Sequence, residues 1–179
     1  MTTFQDIFLY FARFADRAGV LKNFTKTSGS DEYNRFRAAV EQLPASPIVS
    51  GISDFILAAS EESVKKRILT FKSTYLFADY GEVSSRQSSL KIQEDYFQLA
   101  LTVAHPLSAN TLNMAEEIVL NDRLFTLICA IREYMKNDRQ NPFIKRLTFP
   151  QEIQPFYAPA LSNSFGWTMV FQMSGIAMI

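Results

Sequence analysis

Glu94-Asp95-Tyr96-Phe97-Gln98-Leu99-Ala100-Leu101-Thr102-Val103 is the stretch on which the fold turns. Phe97, Leu99, Leu101 and Val103 fall on one side of an extended chain, and Tyr96, Gln98, Ala100 and Thr102 on the other, because successive strand side chains point to opposite faces. Pro106 stops the run. A second alternating stretch, Phe165, Trp167, Met169, Phe171 and Met173 between Gly166, Thr168, Val170 and Gln172, predicts another strand. Between the two, Leu124, Leu127, Ile128, Ile131 and Met135 recur at steps of three and four, which is one face of a helix. Glu116 and Glu117 sit near its start, where the helix dipole favours acids, and Lys136 and Arg139 close its end. Asn121-Asp122 interrupts the apolar face, so either one long helix or two separated by a cap fits the pattern.

Upstream, Phe4, Ile7, Phe8, Phe11, Phe14, Ala15 and Ala18 predict an N-terminal helix capped by Thr3 and ended at Gly19. Its polar face is mixed in sign, which favours packing against a core or a subunit over lying in a membrane surface. Ser30, Asp31 and Glu32 open a second helix with Tyr33, Phe36 and Val40 as its stripe, and Pro44 and Pro47 end it. Phe55-Ile56-Leu57-Ala58 reads equally as strand or buried helix. Leu69 to Phe77 alternates as a strand, Asp79-Tyr80-Gly81 offers a turn, and Val83 to Ser89 reads as an exposed polar loop. Ile144 to Phe149 is a candidate strand. Gln151 to Asn163, carrying Pro155, Phe156, Tyr157 and Pro159, reads as an extended loop or hairpin arm. The expectation is one α+β domain over residues 1–179, with an N-terminal helical part at 1–47, a largely antiparallel sheet packed against a long central helix, and the arm at 151–163.

A chain of 179 residues is long enough to bury a core, and its 47% hydrophobic content, with 16 phenylalanines, supplies one. The 18 Lys+Arg balance 18 Asp+Glu, so the domain as a whole has no attraction for nucleic acid or an anionic membrane. Lys65-Lys66-Arg67 and Lys145-Arg146 are too short to form a nucleic-acid stripe. No apolar run reaches the roughly 18 residues of a membrane helix, and Met1 to Asp6 lacks the basic start of an export signal. An intracellular protein is expected, and a virion component assembled in a host cell shares that signature.

One histidine and one cysteine do not make a nitrogen–sulfur metal site within the chain. Cys129, between Ile128 and Ala130 on the apolar helix, reads as a buried and inert packing residue. No Gly-x-Ser-x-Gly elbow and no glycine-rich phosphate loop occurs. The adjacent acids Glu61-Glu62, Glu94-Asp95 and Glu116-Glu117 point apart rather than together on either helix or strand. No catalytic, metal or cofactor residue is therefore assigned. An enzyme using His105 as a base at a strand end is one alternative, and a monomeric binding module using the arm is another.

One resemblance can be placed on residues. A phenylalanine-rich N-terminal helix is followed by a strand closing on Tyr75-Leu76-Phe77-Ala78-Asp79-Tyr80-Gly81-Glu82, a loop, the strand at 94–103, a long helix and a closing Gly166-Trp167-Thr168-Met169-Val170-Phe171 strand. This order is similar to the tail-terminator or tail-completion proteins in the neck of long-tailed bacteriophages, over most of the chain from Ile68 onward. The first two helices and Ile48 to Ala58 depart from the small tail-terminator plan, which leaves another neck or ring component open. The resemblance implies a non-enzymatic virion structural protein without cofactors. Its partners would be copies of itself in a ring and neighbouring neck or tail proteins, with nucleic acid met at most by passage through a channel and no membrane contact. On that reading the candidate subunit contacts are the segment from Val83 to Lys91, with Arg86 and Lys91, and Ile153, Phe156, Tyr157 and Leu161 on the arm.

Overall fold

The computed structural model describes residues 4–58, 61–87, 93–107, 112–148 and 152–174. Three helices open the chain: α1 (Phe4–Ala12), α2 (Arg17–Leu21) and α3 (Asp31–Glu41). The single helix expected through Ala18 is broken after Ala12. Ile48 N–H donates to the Arg13 carbonyl at 2.9 Å and Asp16 N–H to the Ile52 carbonyl at 3.0 Å, so the chain at 13–16 bonds to the 48–52 segment instead of continuing a helix. Gly19 does not end the helix either. It lies inside α2 against the Ser53 carbonyl, where an added Cβ would come within 1.8 Å of the oxygen. Ser30 caps α3 as expected, its hydroxyl accepting from Tyr33 N–H. The expected cap at Thr3 lies outside the described residues.

Next come β1 (Asp54–Ala58), α4 (Glu61–Ile68), β2 (Tyr75–Gln87) and β3 (Gln93–His105). The strand expected from Leu69 begins only at Tyr75, because α4 and its closing turn occupy the preceding residues: Phe71 N–H donates to the Ile68 carbonyl. Asp79-Tyr80-Gly81 is not a turn. It lies in β2 at a register shift between Tyr80 and Val83, and the polar stretch from Val83 to Gln87 continues as strand paired to Gln93–Phe97. Then follow α5 (Met114–Asn137), one uninterrupted helix of 24 residues, a short 3-10 turn at Ile144–Arg146, β4 (Leu147–Thr148), β5 (Ile153–Ala158) and β6 (Ser164–Ser174). The arm segment is strand β5, hydrogen-bonded antiparallel to β6.

The strands form one sheet in the order β1-β2-β3-β6-β4, with β5 also pairing β6. Its β1–β2 pair is parallel and the others antiparallel, so the sheet is mixed and the fold is α+β. A parallel pair needs a crossover, and α4 supplies it. One face carries Phe97, Leu99, Leu101 and Val103 of β3 with Met169, Phe171 and Met173 of β6. These share a core with Leu127, Ile128 and Ile131 of α5 and with Phe11 and Phe14. A smaller core on the opposite face joins Ile56, Tyr75, Phe77 and Ala104 to Val64 and Ile68 of α4 and to Leu161.

Candidate functional site

Helix α5 begins with a reciprocal cap. The Asn113 side chain accepts from Glu116 N–H at 3.0 Å, and the Glu116 carboxylate accepts from Asn113 N–H at 2.8 Å. The helix is thus closed at an end that no described residue covers, since residues 114–119 are all exposed and the first buried residue is Leu124. Met114 is 77% exposed, Val119 69% and Ile118 53%. At the root of these first turns, Phe125 packs edge-on against Trp167 with ring centroids 4.9 Å apart, and Trp167 Nε1 donates to Asn121 Oδ1 at 2.9 Å. The result is an apolar ridge flanked by Glu117 and Asp122, both exposed. Scattered apolar side chains are ordinary on a surface, but Met114, Ile118 and Phe125 recur at steps of four and seven and so share one helix face, while Val119 points about 100° away from Ile118.

At the other end of α5 the chain forms a groove of about 460 Å³ between α1, the end of α3 and the turn after α5. Leu9, Leu43 and Phe143 give it apolar walls, with Arg13 and Arg146 at its border. Arg13 is held in place: its guanidinium lies 3.0 Å from Asp138 Oδ2 and 4.5 Å from the centre of the Tyr10 ring. Burial, and then the Asp138 carboxylate that accepts the Tyr10 hydroxyl proton at 3.3 Å, push that phenol well above its ordinary pKa. Tyr10 therefore stays a neutral donor at any ordinary pH.

The residues singled out from sequence disperse. Ile153 is half-buried against the main core and Phe156 against the smaller one. Leu161, at 1% exposure, is part of the smaller core, so its side chain is taken up within the subunit. Tyr157 alone among the four faces solvent, at 67% exposure. Arg86 lies on the distal part of β2, and Lys91 falls outside the described residues. The sheet does not bring the segment from Val83 to Gln87 together with β5: they belong to strands separated by β3 and β6.

His105 ends β3 with Nδ1 3.2 Å from the Thr74 hydroxyl. Burial and then the nearby Arg123 charge hold its pKa below the usual value. Cys129 is half-buried, less enclosed than expected, because it sits at the margin of the stripe that packs on the sheet. Asp79 lies on the opposite sheet face with one carboxylate oxygen buried and without a hydrogen-bond partner, and burial raises its pKa. Among the described residues no group of three or more His, Cys, Asp or Glu is placed to hold a metal, and no helix is long and apolar enough to cross a membrane.

The α5 ridge was not singled out from sequence, although a signal exists. Continued backwards from Leu124 in steps of four and three, the buried stripe passes Leu120 and then meets Glu117, a carboxylate. A charge in phase with a core stripe marks where the core stops; Met114 lies beyond that mark, and Ile118 and Val119 lie off the stripe between Glu117 and Leu120. Comparison with protein-family models, curated proteins and solved structures finds no match to this chain.

Proposed function

We propose that this chain is a non-enzymatic assembly subunit that works through its surfaces, a ring-forming connector or terminator in the neck or tail of a bacteriophage virion. The observation that carries the reading is the capped, uncovered apolar start of α5, a surface whose burial by another chain would be favourable at about 25 cal/mol per Å². The succession β2, β3, α5, β6, with α5 laid across the last two strands, supports the resemblance, since it is the element order on which that likeness rests. On this reading the antiparallel part of the sheet with its long helix is the ring-building unit, and the N-terminal helices and parallel β1 extend it.

Sedimentation velocity and negative-stain electron microscopy of the full chain test the proposal. The expected result is a closed ring of copies; a monomer at every concentration overturns it. Substitution of His105 by Ala separates the enzyme alternative, because a connector assembles normally without the imidazole.

A further inference from the structure

Resting on the assembly reading, we infer that the first turns of α5 of one copy seat on the end of α4 and the turn after it in the next copy. Lys65, Lys66 and Arg67 close α4, and the turn in which Phe71 N–H donates to the Ile68 carbonyl holds Lys72 beside them. All four bases are exposed, and residues 63–78 contain no acid. The acids of α4, Glu61 and Glu62, stand at the other end of the helix. Arg67 Nη1 donates to Asn23 Oδ1 at 2.8 Å, which fixes the guanidinium without neutralising it, because an amide carries no charge. Among these bases Leu69 is 62% exposed and Phe71 is half-buried. The end of α4 is therefore a basic patch with an apolar centre.

The start of α5 is the complementary surface. Residues 114–122 contain Glu116, Glu117 and Asp122 and no base. Glu116 is engaged in its own cap, which leaves the exposed Glu117 and Asp122 to face a partner. Asp122 lies one turn beyond Ile118 on the same face, so an acid and an aliphatic group are presented together. Arg123, the next base, is turned aside: its guanidinium lies against Gly51, where an added Cβ would come within 3.3 Å of it. A nucleic-acid backbone would satisfy the α4 bases and leave Leu69 bare, whereas a ridge with acids beside apolar side chains satisfies both. Within one chain the sheet separates the two surfaces. Val64 and Ile68 bury α4 on one face of it, and Leu127, Ile128 and Ile131 bury α5 on the other. Between copies they can meet. A contact of one patch with a different patch is heterologous, the kind that generates a ring when the rotation closes. The occupant of the α4 patch is accordingly a second copy of this chain.

Charge reversal on the full chain decides the matter. In the first variant Glu117→Lys is combined with Asp122→Lys, and in the second Lys66→Glu is combined with Lys72→Glu. Each alone is expected to raise the dissociation constant of assembly by about tenfold or more in sedimentation velocity, because like charges then face each other across the contact. The circular dichroism spectrum should not change. An equimolar mixture is expected to recover association at least to the one-to-one complex, since a reversed ridge then meets a reversed patch. A parent that assembles while both variants assemble equally well places the contact elsewhere and overturns the inference, leaving the assembly reading intact. Weakening by the α4 change alone gives that patch a different occupant and also overturns it, as do weakened variants that their mixture does not restore. A parent that stays monomeric overturns both. Should a charge variant unfold, Leu69→Ser and Ile118→Ser, each made singly at an exposed side chain, replace it, and undiminished assembly of both refutes the seating.

Discussion

Trp167 Nε1 donates a hydrogen bond to Asn121 Oδ1 at 2.9 Å, joining the middle of β6 to the last exposed turn of α5. The bond sits where the helix leaves its own core, and the Phe125 ring closes over the same indole. Asn121→Ala removes the acceptor and leaves the indole N–H to solvent. It is expected to cost about 1 kcal/mol in urea unfolding, the usual net value of one such bond. Trp167 is the chain's single tryptophan, so its fluorescence reports the site directly. A red shift of its native emission is expected; an unchanged spectrum and midpoint would show that the bond does not hold the helix root.

Leu101→Ala should be costly and Val170→Ala cheap, although the two residues lie on adjacent paired strands. Leu101 is fully buried in the main core, while Val170 faces solvent on the other side of the sheet. The leucine change is expected to cost about 2–5 kcal/mol, as for buried leucines elsewhere. The valine change should stay within about 0.5 kcal/mol. Thermal unfolding of both variants reads the difference, and equal midpoints would mean the faces are reversed.

Gly166→Ala should be as damaging as a core truncation even though it adds one methyl group. A Cβ there would stand 1.9 Å from the Val103 carbonyl oxygen, backbone that cannot rotate away. Phe156 is paired across from Gly166 on β5, where a ring can shield a strand glycine. Overpacking of this kind costs about 1–3 kcal/mol or more. Wild-type stability for the alanine variant would contradict the β3–β6 register.

Two groups give the stability curve opposite slopes. The folded-state pKa of His105 is depressed, so between that value and the ordinary 6.5 the unfolded chain binds more protons. Its contribution is full above about 6.5 and is lost as pH falls through that window. The carboxyl of Asp79 is raised above 3.8, so its contribution is full below 3.8 and is lost as pH rises through the folded value. Asp79→Asn should therefore stabilise the protein at neutral pH, and His105→Gln should flatten the slope just below pH 6.5. Urea midpoints across pH 4–8 check both; a destabilised Asp79→Asn protein at pH 7 would mean the carboxylate has a partner.

The legibility of the fold follows from how each element is paired. β3 and β6 read clearly because each has one buried face along most of its length, which forces alternation. The distal half of β2 did not, because its backbone is satisfied by β3 and a polar sequence can occupy it without cost to the core. β5 was obscured by Pro155, which lacks an N–H. The residue is tolerated there because β5 bonds to β6 on one side only. The break after Ala12 was hidden for another reason: the 48–52 segment that competes for its backbone is distant in sequence. The ridge on α5 escaped notice because periodicity identifies what a helix buries and is silent on what it leaves bare.

The overhang of α5 has a mechanical meaning. The six exposed residues before Leu120 make a lever about 9 Å long, so a tilt of about 10° at the root displaces the tip by about 1.6 Å. In a closed ring such angular errors accumulate from copy to copy, and the last copy must still meet the first. On the ring assembly proposed above, the stiffness of the Phe125–Trp167 contact would set the tolerance with which the circle can shut, and loosening it would yield open arcs in place of rings.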